Sequence, residues 1–141
     1  MAIVLFELKK LREHEKIESI YLEKLKKQIQ KDGILKRPIV VDKNTKIILD
    51  GHFRFNVLKQ LGYPRIPVFF VDYNSSDILV TTWRDDEIIT KEDVIKAGLT
   101  GKKFPPKTSK HMMNSSKNKI HISKMLKKIN FPLTELKEVI E

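Results

Sequence analysis

The feature that most constrains the fold of this chain is the shortness of its apolar segments, none of which approaches the roughly 18 residues of a membrane span. Five of them have the length and composition of strands, at residues 3–6, 38–42, 46–49, 66–71 and 78–83. The second and third flank a polar turn, which predicts a β-hairpin. The chain therefore has to build its core by packing short strands against helices, and we expect an α+β domain.

Two helices are predicted between these strands. The first has Ser19 as its N-cap, runs over residues 19–31 and stops at Gly33. The second has helical spacing over residues 51–61 and closes at Gly62. Both intervals carry apolar side chains on one face, as helices that cover a sheet do.

Two further helices are predicted nearer the C-terminus. One follows a capping box, Thr90-x-x-Asp93, and is expected to stop at Gly98. The last begins at Pro132 and presents four apolar side chains, Leu133, Leu136, Val139 and Ile140. Between them lies a stretch without periodicity, in which residues 114–119 are expected to form a polar loop.

The positive charge is concentrated in one stretch. The formal net charge is +10, and residues 101–128 hold nine lysines and no acidic residue. Such a stretch attracts phosphate groups of nucleic acids, nucleotides or membranes, although it also suits a solvated surface loop. We expect a single domain over residues 1–141, with a core over about 1–100 and a basic, phosphate-binding C-terminal extension over about 101–141.

Other classes of protein are excluded by composition. The chain has no cysteine, so it has no disulfide framework, Cys-ligated zinc site or thiol catalysis. Only six apolar residues precede Glu7, and no basic residue precedes them, so no signal peptide is predicted. A soluble cytoplasmic protein without a membrane partner is expected.

One motif carries recognisable chemistry. An apolar strand ends in Asp50 and Gly51 and turns directly into the second helix. The first N–H groups of a helix lack internal partners and lie at the positive end of its dipole. Gly51 allows close approach of a bound group, His52 and Arg54 add donors, and Asp50 adds a carboxylate, which together suit a phosphate with Mg²⁺. Asp-Gly is also a common turn, and Asp50 could be a simple N-cap.

Residues 5–71 resemble the ParB/sulfiredoxin superfamily. The shared plan is a short strand, a polar turn, a helix that closes on Gly33-Ile-Leu, and then Pro38-Ile-Val-Val, Ile-Leu-Asp-Gly-His and Ile66-Pro-Val. This resemblance implies a small mixed sheet with flanking helices. Sulfiredoxins carry their catalytic cysteine where His52 stands, so their chemistry is excluded. ParB proteins have a Gly-Glu-Arg-Arg type of motif at this turn, from which this chain departs.

Within that superfamily the chain is most similar to the free serine kinase branch. That branch has Asp-Gly-His-His-Arg at the turn, a His-Glu dipeptide, a later Trp and a Phe/Leu-Pro-Pro-Lys-Thr-(Ser/Thr)-Arg-His segment. The corresponding residues here are Asp50-Gly-His-Phe-Arg54, His14-Glu15, Trp83 and Phe104-Pro-Pro-Lys-Thr-Ser-Lys-His111. The departures are Phe53 for the second His, Lys110 for Arg, and a shorter connection between residues 83 and 107.

The resemblance implies phosphorylation of free L-serine to O-phosphoserine, with ADP or ATP as donor and Mg²⁺ as cofactor. It assigns Glu15 as the general base and Asp50 as a catalytic and metal-binding residue. Trp83 and His14 would bind the substrate. The implied nucleotide- and phosphate-binding residues are Gly51, His52, Arg54, Lys107, Thr108, Ser109, Lys110 and His111.

Two alternatives stay open. One is a ParB-like nucleotide- or DNA-binding module without kinase activity, although the lysines surround a Pro-Pro-Lys-Thr loop and no recognition helix is evident, so a nucleic-acid partner is not favoured. The other is a toxin or nuclease of the superfamily, which no further residue supports. The kinase hypothesis makes a geometric demand, because reacting atoms must approach to roughly 3–3.5 Å. Residues 107–111 must fold back over the turn at Asp50, with Glu15 and Trp83 in the same pocket, whereas His121 is expected on the surface.

Overall fold

The computed structural model describes residues 2–84, 87–114 and 119–136. In these ranges the chain forms helices α1 (Ser19–Asp32), α2 (His52–Gln60) and α3 (Lys91–Thr100). The strands are β1 (Val4–Glu7), β2 (Ile34–Leu35), β3 (Ile39–Asp42), β4 (Ile48–Asp50), β5 (Arg65–Val71), β6 (Ile78–Thr82), β7 (Ser109–Asn114), β8 (Lys119–His121) and β9 (Phe131–Pro132). No helix in this part of the chain combines the length and apolar character that crossing a membrane requires.

A four-stranded mixed sheet of order β1-β5-β3-β4 organises the molecule. β3 and β5 are parallel, and the predicted hairpin is the antiparallel pair of β3 and β4. β3 is buried along its whole length, and successive side chains of a strand point to opposite faces. Ile39 and Val41 accordingly enter one hydrophobic core, while Val40 enters a second core on the other face. β1, predicted as a buried strand, is the edge strand, and Val4 is exposed.

The two cores have different coverings. Buried side chains of α1 and α2, including Leu22, Ile29 and Leu58, fill the first core. Val94 of α3 and Ile78 of β6 belong to the second. The described residues of the basic C-terminal region contribute to both cores, through Leu133 and Leu136 in the first and Ile122 and Leu126 in the second.

β6 belongs to a separate three-stranded antiparallel sheet of order β6-β7-β8. Its partners come from the lysine-rich stretch, where the sequence predicted no regular structure. β7 pairs with β6 from Ile78↔Met113 to Thr82↔Ser109. Part of the predicted polar loop at 114–119 lies outside the described residues, and the rest belongs to β7 and β8. The lysine-rich stretch is thereby fixed against the folded domain over the length of β7.

The ends of the helices correct two predictions. The N-cap of α1 is Glu18 rather than Ser19, and it makes no side-chain capping bond, while Gly33 ends the helix as predicted. The capping box of Thr90 and Asp93 is present. α3 ends at Thr100, with Gly101 as its C-cap, rather than at Gly98. Gly98 is instead a packing position, where a Cβ atom would lie 2.6 Å from Ile47 Cδ1.

The helix predicted from Pro132 is a short turn instead. Pro132 ends β9, which pairs with β2, and a 3₁₀-helix follows over Leu133–Leu136. Leu133 and Leu136 are buried as the pattern predicted. Val139 and Ile140 lie outside the described residues.

Candidate active site

A cavity of about 400 Å³ opens where the two sheets meet. We call it the central cavity. Residues 49–53 form one side, the turn wall, and Pro106, Lys107, Ser109 and His111 form the other, the loop wall (residues 106–111). The segment from Glu15 to Glu18 closes one end, and Trp83 and His121 lie at the rim. The juxtaposition that the kinase hypothesis demands is therefore present.

The turn wall owes its shape to Gly51. This residue is the N-cap of α2 and has φ of 105°, a left-handed conformation that favours glycine. A Cβ atom here would lie 2.4 Å from Ile39 Cγ2, so the position is also sterically closed to other residues. Asp50 is not the N-cap. Its Oδ2 accepts a hydrogen bond from Arg54 Nη2 at 3.2 Å, and the N-cap of α2 makes no side-chain capping bond.

The loop wall is held by Glu15. Its Oε1 accepts the backbone N–H groups of Thr108 at 3.1 Å and Ser109 at 2.8 Å. Ser109 Oγ lies 3.0 Å from the same oxygen. Lys107, at the bend of this loop, has a positive φ of 56°. The glutamate predicted as a base is therefore also the residue that brings a distant loop to the cavity.

The environment of Glu15 favours proton uptake. Burial raises the pKa of Glu15, and the hydrogen bonds from Ser109, Thr108 and Lys107 oppose this rise without cancelling it. A carboxylate whose pKa is raised towards neutrality is a better general base than an exposed one. Glu15 also lines the cavity, so a substrate hydroxyl can reach it.

Three histidines are buried beneath the cavity. The ring centroid of His14 lies 4.7 Å from that of His52 and 5.8 Å from that of His111. Burial lowers the pKa of His14 to about 4. Burial first, and then repulsion by His14, lowers the pKa values of His52 and His111 well below the ordinary value. All three are therefore neutral at physiological pH.

The positions of His14 and Thr108 do not fit the binding roles assigned to them, because both side chains are buried and neither lines the central cavity. His14 has no exposed surface and does not line the cavity, so it is not placed to touch a substrate. Its Nδ1 lies 2.8 Å from Ile48 O and its Nε2 lies 2.7 Å from Ser109 Oγ. Thr108 is also buried, and its hydroxyl donates to Pro105 O at 2.7 Å. Eight of the other predicted residues line the central cavity: Glu15, Asp50, Gly51, His52, Trp83, Lys107, Ser109 and His111.

An aromatic and cationic cluster lies at the rim of the central cavity. Trp83 is 54% exposed, which excludes a role as a core residue. Lys110 Nζ lies 4.3 Å from the centroid of its ring, a cation–π distance. His121, expected on the surface, is half-buried and its ring lies 6.1 Å from that of Trp83. No local pattern indicated a role for His121, because it is the pairing of β7 with β8 that brings this residue to the rim.

A second cavity of about 320 Å³ lies between α1 and α2, and we call it the α1–α2 cavity. It shares residues 50–53 with the central cavity, and Arg37 and Arg54 also line it. The Nε atoms of both arginines are buried without a hydrogen-bond partner among the described residues. Repulsion by Arg37 lowers the pKa of Arg54, after the larger effect of burial. The lining of this cavity carries three cations, Lys36, Arg37 and Arg54, and two carboxylates, Asp32 and Asp50, so cations outnumber carboxylates and the cavity suits an anion. Arg37 is a residue that the sequence did not single out.

The described residues offer few side-chain ligands for a metal ion. Among the described residues there is no group of three or more His, Cys, Asp or Glu side chains that could hold a metal ion. Mg²⁺ in proteins is often bound by only one or two carboxylates together with phosphates of a substrate, so it does not require such a group. Asp50 is the carboxylate at the turn that could serve.

Comparison with curated proteins reveals relatives of two kinds, although no model of a known protein family matches. The chain is 38% identical over 88 residues to a ParB-like protein of Sulfolobus acidocaldarius, a region covering 62% of this chain and 43% of that protein. It is 37% identical over 84 residues to an ATP-dependent L-serine kinase of Desulfurococcus mucosus and 34% identical over 84 residues to an ADP-dependent L-serine kinase of Thermococcus kodakarensis. These regions cover 57% of this chain and 33% and 35% of the kinases, so the match spans less than half the length of each relative.

Solved structures resemble this chain over nearly its whole length. Free serine kinase in complex with AMP has a TM-score of 0.80 at 20% identity, covering 95% of this chain and 93% of that chain. A variant of that kinase with a glutamate replaced by alanine, in complex with ADP, has a TM-score of 0.81 at 19% identity, covering 96% and 94%. A conserved hypothetical protein from Pyrococcus furiosus has a TM-score of 0.80 at 19% identity, covering 96% and 97%.

The chain is thus an α+β protein, as predicted from its sequence, and its similarity to a ParB-like protein agrees with the resemblance described above. Within that class it shares the fold of the free serine kinases and is homologous to proteins named L-serine kinases, which confirms the resemblance seen in its motifs.

Proposed function

We propose that this chain transfers a phosphoryl group from an adenine nucleotide to the hydroxyl of free L-serine, giving O-phosphoserine. The single observation that carries the proposal is the convergence of Glu15, the N-terminus of α2 and the basic loop wall in one cavity. Phosphoryl transfer is catalysed mainly by positioning and by neutralising charge, and this cavity supplies both together with a base. Its similarity to L-serine kinases supports the same substrate.

The acceptor hydroxyl lies beside the carboxylate of Glu15. As the hydroxyl oxygen forms a bond with the terminal phosphorus, its proton passes to Glu15. The bond from that phosphorus to the bridging oxygen breaks, and its electron pair stays on the leaving nucleotide. Trp83 and Lys110 at the rim provide an apolar face and a cation, which suit the side chain and the carboxylate of an amino acid.

The donor nucleotide lies on the other side of the turn. The α1–α2 cavity and the central cavity share residues 50–53, so a molecule in the first reaches the second over the N-terminus of α2. Backbone N–H groups of Gly51 and His52 bind its terminal phosphate. Arg54 and Arg37 bind the phosphates nearer the nucleoside, which would give their buried Nε atoms an acceptor.

Mg²⁺ would be held by Asp50 together with phosphate oxygens of the nucleotide. When bound, the ion neutralises the charge of the phosphates and orients them. The carboxylate of Asp50 is already oriented by Arg54, which leaves its other oxygen for this role.

The test is formation of O-phosphoserine from L-serine and Mg²⁺, run separately with ADP and with ATP. Wild type should form the product with at least one donor, and Asp50→Asn should lose at least about 100-fold in rate, as loss of a charged transition-state contact does. Threonine and homoserine as acceptors would define the substrate class. Absence of product with both donors would overturn the proposal.

A second function is favoured by the similarity to a ParB-like protein. A ParB-like module would bind duplex DNA or nucleotide without transferring phosphate. Tight binding of duplex DNA at physiological salt, without nucleotide binding or turnover, would support it in place of the kinase.

A further inference from the structure

Glu15, Ser109 and His14 form a continuous chain of contacts beneath the central cavity. Ser109 Oγ lies between the other two, 3.0 Å from Glu15 Oε1 and 2.7 Å from His14 Nε2. The chain ends at Ile48 O, which lies 2.8 Å from His14 Nδ1. These distances are all within hydrogen-bonding range, so the number of protons available decides which contacts are bonds.

The positions of the protons follow from the groups at the two ends of this series of contacts. A carbonyl oxygen only accepts, so Ile48 O requires the proton of His14 to be on Nδ1. A neutral His14 then has a bare lone pair on Nε2. The hydroxyl of Ser109 carries one proton, which it can give to Nε2 or to an ionised Glu15 but not to both. With Glu15 ionised, one of the two contacts therefore holds two lone pairs face to face.

One additional proton removes this conflict. If it is on Glu15 Oε1, the carboxyl donates to Ser109 Oγ and the hydroxyl donates to His14 Nε2. If it is on His14 Nε2, the imidazolium donates to Ser109 and the hydroxyl donates to the ionised Glu15. The two arrangements differ by a shift of two protons through Ser109, and in both every contact is a hydrogen bond.

We propose that Glu15, Ser109 and His14 act as one proton-accepting unit, in which the buried His14 is a positioning residue that makes Glu15 a stronger base through Ser109. The proposal deepens the proposed function and depends on it only for the identity of the proton donor. When the acceptor hydroxyl releases its proton to this unit, all of the contacts become hydrogen bonds. The protonated unit therefore has one hydrogen bond more than the unprotonated unit. His14 thereby acts on the reaction without touching a substrate.

Other charged or titratable groups face the same unit. Glu15 shares the cavity with Lys16 and Glu18 of its own segment, Asp50 and His52 of the turn wall, Lys107 and His111 of the loop wall, and His121 at the rim. His52 Nε2 accepts the backbone N–H of His14 at 3.3 Å, and His111 Nε2 lies 2.8 Å from Tyr73 Oη. Among the described residues only Glu15 and His14 have side-chain contacts with Ser109 Oγ, so a test directed at His14 is selective.

The test measures the titration of Glu15 directly, by the NMR signal of its ¹³C-labelled side-chain carboxyl, in the full chain without substrate. In His14→Phe the hydroxyl of Ser109 is free to donate to the ionised carboxylate, so the midpoint should fall by about one pH unit, the equivalent of one hydrogen bond. His14→Gln retains an acceptor for Ser109 and should stay near wild type. Tyr73→Phe, which removes a buried hydroxyl from the neighbouring contact, should not move the midpoint.

A double-mutant cycle distinguishes an effect of His14 that passes through Ser109 from a general effect of removing the buried imidazole ring. On a Ser109→Ala background the further change His14→Phe should leave the Glu15 midpoint unchanged within about 0.3 pH unit. An equal shift with and without Ser109, or no shift in either background, would overturn the proposal. The ¹⁵N signals of His14 in wild type give a readout that needs no variant, and protonation of Nε2 instead of Nδ1 at neutral pH would also overturn it.

The acid limb of the pH profile for kcat/KM should move in parallel with the Glu15 midpoint, to lower pH in His14→Phe. Because the NMR titration requires no turnover, the two hypotheses fail separately. If the Glu15 midpoint falls in His14→Phe but the protein forms no O-phosphoserine, the proposed function is rejected and the proton-accepting unit is supported. If the protein forms O-phosphoserine but the Glu15 midpoint does not move in His14→Phe, the proposed function is supported and the proton-accepting unit is rejected.

Discussion

The two walls of the central cavity are built by different means. The turn wall is one continuous stretch in which β4, Gly51 and α2 follow each other, so its shape depends on local conformation and on the contact of Gly51 with Ile39. The loop wall lies more than fifty residues further along the chain and is held by hydrogen bonds to Glu15 and by the pairing of β7 with β6. The shape of the turn wall therefore depends on steric contact, whereas the loop wall depends in part on a carboxylate that can also take up a proton.

This difference implies different vulnerabilities. A substitution that distorts the turn should cost stability as well as activity, because α2 and β4 belong to the cores. A substitution that changes the charge of Glu15 without its shape should cost activity while leaving the loop in place. The predictions below test that distinction.

The largest effect is expected for Glu15→Gln. The amide oxygen of Gln can still accept the N–H groups of Thr108 and Ser109, but the side chain cannot take up a proton. The value of kcat should fall by about 10²- to 10⁴-fold, the usual contribution of a general base, with little change in melting temperature. Steady-state kinetics and thermal unfolding check both parts. Retention of more than about a tenth of the wild-type kcat would show that Glu15 only anchors the loop.

Gly51→Ala should destabilise the fold. The added Cβ meets Ile39 Cγ2 and the residue has a positive φ, and overpacking together with backbone strain costs about 2–4 kcal/mol. Gly33→Ala is the matched control, because Gly33 also has a positive φ but a Cβ there would meet nothing within 4 Å. The control should lose about 1 kcal/mol. Urea unfolding measures both, and equal losses would show that the turn wall is not sterically fixed.

Low pH should reduce the free energy of unfolding, because three histidines are buried between the walls. The folded protein keeps His14, His52 and His111 neutral, whereas the unfolded chain protonates histidine near pH 6.5. Their contribution to stability is complete above pH 6.5 and is lost as the pH falls towards about 4, the pKa of His14. The slope that each histidine contributes in this window is at most about 1.4 kcal/mol per pH unit.

Glu15 has a raised pKa and acts in the opposite direction, but one group cannot cancel three. Urea midpoints at several pH values between 7 and 4 measure the slope. A free energy of unfolding that is constant over this window would contradict the buried, neutral state of the histidines.

The smallest effect is expected for Lys107→Ala on the loop wall. Lys107 lines the cavity, its Nζ lies 5.2 Å from the centroid of the Tyr21 ring, and loss of this exposed cation should weaken nucleotide binding by about 3- to 10-fold. The difference from wild type should shrink as salt is raised, because the attraction is coulombic. Isothermal titration with ADP at two salt concentrations checks this, and Lys124→Ala, in the same basic region but outside the cavity lining, is the control. Unchanged affinity in Lys107→Ala would assign that lysine to the solvated surface.

Local sequence predicted the turn wall well and the loop wall poorly. The strand, Gly51 and the helix are consecutive, so periodicity and turn chemistry define them. Residues 107–111 were assigned to the site by resemblance to a family, since nothing in their periodicity indicates β7 or its partner. The contacts of Ser109 with Glu15 and His14 join residues 94 and 95 positions apart, which no local pattern encodes.

Similar limits explain the individual errors. Gly98 and Gly101 both fit a helix stop, and only the packing of Gly98 against Ile47 distinguishes them. His14 is polar and adjacent to Glu15, so its complete burial could not be read from the chain. Arg37 has no motif around it, and its importance follows from sharing a cavity with Arg54.

The convergence of the two walls on one phosphate is tested most directly by a crystal structure with O-phosphoserine and the product nucleotide, which is AMP for an ADP donor and ADP for an ATP donor. The phosphate of O-phosphoserine should lie between the two walls, against the N–H groups of Gly51 and His52 and within reach of Lys107. Its ester oxygen should lie within hydrogen-bonding distance of Glu15, and the nucleotide should occupy the α1–α2 cavity. Ligands bound elsewhere, for example in the cavity of about 530 Å³ beside Phe55 and Tyr63, or a phosphate that touches only one wall, would contradict this convergence.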